Sequence, residues 1–130
     1  MTRQFTLGKE ERLKSRKQTE RLFREGKRFT ISPYRIHYFI SDKETSGLLF
    51  GVGVGTKTFP KATDRNRVKR ITREAYRVQK NELKAQLAEM GKAMDVFFIY
   101  TAKELPLYQD VFEAMGKVVQ KLSRIITTER

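Results

Sequence analysis

The run Arg65-Asn66-Arg67-Val68-Lys69-Arg70-Ile71-Thr72-Arg73 sets five cations within nine residues, separated only by small polar and apolar side chains. Arginine can fork onto phosphate oxygens through paired N–H donors, and lysine adds a point charge. Asn66 can donate and accept at a base or sugar edge. Such a density of positive charge needs a polyanion to neutralise it, and RNA is the expected one. Acid–base or metal chemistry needs a different inventory, with carboxylates, imidazoles or thiolates brought together. The chain holds a single histidine, His37, in a segment that reads as a strand, where it is expected at the surface or in a stack rather than as a general base. The carboxylates are scattered singly beside lysines and arginines, where pairing along a helix accounts for them. No Ser/His/Asp set and no P-loop can be assembled, and the glycines of residues 51–55 do not open directly into a helix as a dinucleotide fingerprint would. No catalytic and no metal-ligating residue is therefore expected, and neither is a small-molecule substrate.

The distribution of charge supports the same reading. The chain has 130 residues and a formal net charge of +13. Residues 1–30 carry ten Lys/Arg against four Glu, and residues 61–80 carry eight against two acids, so each block holds +6. Residues 81–130 balance at seven against seven. A uniformly basic protein would not concentrate its excess in two segments, although a solvated charged face is the plain alternative. The length points to one domain, residues 1–130, with a modest core. With no cysteine, neither a disulfide framework nor a thiolate zinc site is possible, which fits a reducing, cytoplasmic setting. No apolar run approaches the roughly 20 residues that span a bilayer, and Met1 to Leu13 lacks the apolar core of a signal peptide. No membrane partner is expected.

Several elements must position these side chains. Residues 1–13 read as extended or flexible, with Phe5 and Leu7 as candidate anchors. A first helix is predicted from Ser15 to Glu25, capped by Ser15 with Gln18 three residues on, and stopped by Gly26 in a left-handed conformation. Pro33 opens a strand, Tyr34 to Ile40, whose even positions are all apolar. A polar connection from Asp42 to Gly47 leads to a second strand, Leu48 to Gly55. Leu48, Phe50, Val52 and Val54 line one face of it, and glycines strip the other. That pattern marks close approach of a backbone or ligand or, more simply, a tightly packed helix. Thr63 is expected to cap one long helix, Asp64 to Met90, of about 40 Å. Val68, Ile71, Ala75, Val78, Leu83 and Met90 form its apolar stripe. Asn66, Lys69, Arg70, Arg73, Arg77, Lys80 and Lys84 fall on the opposite arc. Asp95 to Thr101 reads as a central strand buried on both faces, in a β-α-β unit with a parallel pair. Leu107 to Ile126 closes the chain as a helix packed through Val111, Phe112, Met115, Val118, Val119, Leu122 and Ile126. The fold class is α+β, helices on one small sheet. Tyr34, Tyr38, Phe39 and Phe23 are candidate platforms for unpaired bases, with a place in the core as the alternative for each.

Taken in order, these features resemble the bacterial ribonuclease P protein family. Arg65-Asn66-Arg67-Val68-Lys69-Arg70 with Arg73 is similar to its RNR motif. Upstream lie Arg12-Leu13 and a helix ending Phe23-Arg24-Glu25-Gly26. Gly51-Val52-Gly53-Val54 and Lys57 precede the basic helix, and an apolar strand and closing helix follow it. The resemblance implies a two-layer α-β sandwich with a small mixed sheet and a left-handed β-α-β crossover, against the usual handedness. It also implies a protein that binds a catalytic RNA subunit and the 5′ leader of precursor tRNA. The RNA and its Mg²⁺ ions would supply the endonucleolytic hydrolysis.

Carried over by position, Arg65, Asn66, Arg67, Lys69, Arg70 and Arg73 would contact the RNA subunit. Lys57 and Arg12 would add basic contacts, and Phe23 and Tyr38 would meet the leader in a cleft between the first helix and the sheet. Tyr38 has the parity of a buried residue and is assigned to the leader by the resemblance alone. Two positions depart from the family pattern. Thr19 stands where a second aromatic is frequent, and Thr101 where an arginine is common. A structural RNA-binding protein, such as a ribosomal component, is the alternative, and a nuclease acting alone is the least supported.

Overall fold

Ser15 starts the first helix, α1 (Arg16–Glu25), as its spacing predicts: its Oγ accepts the Gln18 backbone N–H at 3.3 Å. Residues 12–13, 15–42 and 47–128 are described by this computed structural model of the chain. Phe5, Leu7 and most of the connection between Asp42 and Gly47 lie outside them. Gly26 ends α1 in an extended conformation, with φ −77° and ψ 171°, and not in the left-handed one expected. Its lack of a side chain matters for space. A Cβ there would sit 2.4 Å from the Leu22 carbonyl oxygen and 2.6 Å from that of Tyr38.

Four strands make one mixed sheet in the order β1-β2-β4-β3. They are β1 (Lys27–Ile31), β2 (Tyr34–Asp42), β3 (Gly47–Val54) and β4 (Lys92–Tyr100). Strands β1 and β2 pair antiparallel, as do β2 and β4, while β3 runs parallel to β4. The central strand and the parallel pair are as expected. Strand β1 is an addition to the expected elements, because Lys27-Arg28-Phe29-Thr30-Ile31 is short, largely exposed and half charged. Its alternation becomes legible only beside β2, where Phe29 lies opposite Ile36.

The single long helix expected over 64–90 is two helices, α2 (Ala62–Arg77) and α3 (Asn81–Met90). The break has a local cause. The Gln79 side-chain amide donates to the Ala75 carbonyl at 3.2 Å, taking the acceptor that its own backbone N–H would use. That N–H turns to Tyr76 O at 3.0 Å instead, the tighter i−3 geometry that ends a helix. A second Gln79 bond, to Phe112 O at 3.1 Å, ties the turn to the last helix, α4 (Tyr108–Thr128). Lys61, and not Thr63, occupies the cap position of α2, and it makes no side-chain cap bond. Asp64 in the first turn complements the positive helix end. Gly91 stops α3 in the left-handed region at φ 65°.

The even residues of β2, β3 and β4 face α2, α3 and α4 and build the core. Tyr34, Ile36, Phe98, Val68, Met115 and Leu122 are fully buried there. Burial of each such side chain is worth about 1.5–3 kcal/mol. Phe112 is 39 % exposed and leaves the packing stripe expected of it. Helix α2 is pinned to the sheet by a polar contact within this core. Thr72 Oγ1 donates to the Val68 carbonyl at 2.8 Å, so the Tyr34 hydroxyl is the donor in its 2.6 Å bond to Thr72. Burial pushes the Tyr34 phenol up to about 12.

Candidate nucleic-acid interface

With Val68 and Thr72 turned into the core, helical spacing turns their neighbours outward. Asn66, Arg67, Arg70 and Arg73 are exposed and Lys69 half-buried. None of these five has an ion pair or side-chain hydrogen bond among the described residues. Three neighbours behave otherwise. Arg65 Nη1 donates to the Phe59 and Pro60 carbonyls, each at 2.8 Å, so this arginine clamps the loop that enters α2. Arg77 pairs with Glu74, whose carboxyl is held below its ordinary range chiefly by that hydrogen bond. Lys80 was expected on the charged arc but is 2 % exposed, because the turn after α2 folds it inward. Lys57 is exposed on the turn between β3 and α2. Arg12 is exposed at the edge of the sheet, where residue 12 bridges Phe50 and Leu13 N–H donates to Phe50 O at 2.8 Å.

Among the described helices, α1 alone lies on the other face of the sheet. Arg21 anchors it there. Its guanidinium lies 3.7 Å from the buried carboxylate of Asp95 on β4 and 4.7 Å above the ring of Phe39 on β2. Phe23, two residues further on, also reaches the sheet. Its ring, on a residue 43 % exposed, meets His37 edge-on at 4.6 Å and Phe97 at 5.3 Å. Phe97 accounts for two glycines of β3, Gly51 and Gly53. A Cβ on Gly51 would fall 2.6 Å from its ring, and one on Gly53 3.0 Å. The stripped face thus receives an aromatic side chain from the next strand at Gly51 and Gly53, rather than a packed helix. Arg28 and Arg35 are exposed on this face in register with His37 and one pair beyond. Burial first, then these two arginines, lowers the pKa of His37. Phe97, Arg28 and Arg35 were missed by sequence reasoning. Phe97 hid within a nearly all-apolar strand, and the two arginines share a face only through the β1–β2 register.

Phe23 and Tyr38 are not brought together. Tyr38 is 8 % exposed on the helix-covered face, against Phe29 at 5.8 Å, in a cavity of about 330 Å³ with Lys121, Arg124 and Ile125. Strand alternation puts it opposite to the Phe23 cluster, as its parity indicated and the resemblance did not. Tyr34 is core, and Phe39 lies beneath Arg21. Thr19 bonds the Ser15 carbonyl at 2.9 Å and Thr101 that of Pro33 at 3.0 Å, so both serve local structure. Among the described residues no group of three His, Cys, Asp or Glu side chains is placed to hold a metal ion, and no helix is long and apolar enough to cross a membrane.

Comparison with known proteins agrees with this arrangement. The ribonuclease P family model matches residues 7–123. The ribonuclease P protein component of Porphyromonas gingivalis is 37 % identical over 122 residues, covering 92 % of this chain and 88 % of that protein. That of Syntrophus aciditrophicus is 29 % identical over 128 residues, covering 98 % and 99 %. Among solved structures, the RNase P protein from Thermotoga maritima aligns with a TM-score of 0.66 at 26 % identity, covering 85 % of this chain and 96 % of its own. The Staphylococcus aureus protein shares the fold, with a TM-score of 0.66 at 22 % identity, over 89 % and 97 %. By sequence over nearly its whole length and by fold, this chain belongs to the ribonuclease P protein family.

Proposed function

We propose that this chain, as the protein component of a tRNA-processing ribonucleoprotein, binds the catalytic RNA through the outer face of α2. The face of the sheet beside α1 takes the single-stranded 5′ leader of precursor tRNA. The observation that carries the reading is the set Asn66, Arg67, Lys69, Arg70 and Arg73, gathered on one helix face with no partner among the described residues. Unpaired charges on a helix need break no internal ion pair to meet phosphates, and they displace the counterions of a folded RNA. Lys57 and Arg12 extend the positive surface, and Arg65 acts by holding the entry loop.

On the other face, Phe23 and Phe97 offer edges and faces to unstacked bases, with the buried His37 supporting Phe23 and with Arg28 and Arg35 beside them for the backbone. Hydrolysis is assigned to the RNA and its Mg²⁺. The described side chains do not make a donor set for a metal ion, and no step is routed through one on the protein. The protein lowers the Mg²⁺ needed by offsetting phosphate repulsion. The site of action is the cytoplasm.

Reconstitution with the transcribed RNA subunit tests the proposal. With about six phosphates neutralised, log K for RNA-subunit binding should fall against log salt with a slope of about −4 to −5. The reconstituted enzyme should bind precursor tRNA more tightly than mature tRNA. Equal affinity for the two would remove the leader contact, and failure to stimulate leader cleavage would favour a purely structural RNA-binding protein.

A further inference from the structure

Apart from Phe23, the exposed large apolar side chains of the described residues gather in one place, at the start of α4: Leu105, Leu107, Tyr108 and Phe112. Leu107 is 71 % exposed. Tyr108 and Phe112 lie one turn apart with ring centroids 5.9 Å from each other and planes inclined at 44°. This patch adjoins the cationic ridge. Gln79, in the turn after α2, bonds the Phe112 carbonyl, and the Tyr108 hydroxyl stands within electrostatic reach of Arg77. By helical spacing Asn66, Arg70, Arg73 and Arg77 fall within an arc of about 60°, so the line of polar and charged side chains runs along α2 and ends against Tyr108.

The charges around the patch select among possible occupants. A second copy of this chain brings its own +13, and self-repulsion opposes that contact. Asp110 and Glu113, exposed on the same turns of α4, repel phosphates but not the uncharged faces of bases. We infer that Tyr108 and Phe112 form a stacking shelf for unpaired bases of the same RNA whose phosphates lie along the α2 ridge. The inference rests on the proposed RNA-subunit contact and extends it beyond the basic helix. Aromatic faces are sequence-tolerant, so the shelf adds affinity and fixes where the strand leaves the ridge, without reading its sequence.

The full chain is titrated against the transcribed RNA subunit with Tyr108→Ala and Phe112→Ala, separately and together. Removing either ring is expected to weaken binding about tenfold. The slope against log salt should stay at the wild-type value because no charge is removed. Phe112→Tyr should bind as wild type. If an alanine variant melts early, Tyr108→Leu and Phe112→Leu keep apolar volume without a flat ring and must show the same loss. Unchanged affinity in the double variant, while Arg67→Glu/Arg70→Glu still weakens binding, overturns the shelf alone. Unchanged affinity in both overturns the ridge reading itself. A wild-type dimer in sedimentation, absent in the double variant, would assign the patch to a second copy and overturn the shelf as well.

Discussion

The ridge of α2 and the aromatic face beside α1 lie on opposite sides of one sheet and are built on opposite principles. The ridge is made of side chains with no ion pair or side-chain hydrogen bond among the described residues, standing on a helix whose inner face is engaged through Val68, Thr72 and Ala75. Its attraction acts at a distance and is screened by salt. The aromatic face is made of side chains that mostly touch one another: Phe23 on His37 and Phe97, Phe97 over Gly51 and Gly53, Arg21 between Asp95 and Phe39. Its contacts are short-ranged and, apart from the Arg21–Asp95 pair, mostly between aromatic rings and nearly indifferent to salt. In the proposed function, one surface holds a large folded polyanion and the other distinguishes an unpaired strand from a paired one.

The largest expected effect sharpens that contrast. Arg67→Glu with Arg70→Glu should lower affinity for the RNA subunit by about 100-fold or more, and flatten the salt slope by about two, one for each phosphate no longer neutralised. Filter binding across a salt series reads both. A loss of affinity with an unchanged slope would mean that the ridge acts through packing, and the contrast would fail.

Phe23→Ala should have a middling effect of the opposite character. The preference of the reconstituted enzyme for precursor over mature tRNA should drop by about tenfold, as expected when one base–aromatic stack is removed. RNA-subunit affinity and its salt slope should be unaffected. If both tRNAs weaken equally, the aromatic face is not where the leader lies.

The smallest effect concerns His37. Its folded pKa is lowered, by burial first and then by Arg28 and Arg35, so the native state binds fewer protons than the unfolded chain. The stability it carries is full above its ordinary value of 6.5 and is lost as pH falls through the lowered folded value. Melting of the RNA-free protein between pH 8 and pH 5 should therefore decline more in wild type than in His37→Gln. An equal decline in both would assign the acid sensitivity to other groups.

Much of this could be read from residue order. The Ser15 cap, the even-face core of β2 and β3, the buried β4 and the outward set from Asn66 to Arg73 all follow from local rules with a fixed period. The misreadings share a cause. Gln79 breaks a helix because its amide reaches both Ala75 and a carbonyl of α4, which no helical periodicity contains. Lys80 and Phe112 follow from that break, the one folded in and the other left out. Strand β1 is too short and too charged to stand out until β2 supplies its partner.

By itself, the sequence determined where the excess positive charge is concentrated and which helix face carries it, because net charge and helical period are properties of neighbouring residues. Only the tertiary structure decided what lies on the two faces of the sheet. Phe23 meets Phe97 across 74 residues of chain, and Tyr38 turns away from both, through strand register, the Arg21–Asp95 grip and the space left by Gly51 and Gly53. Those are contacts between residues far apart in the chain, and the order of residues along it does not state which of them will touch.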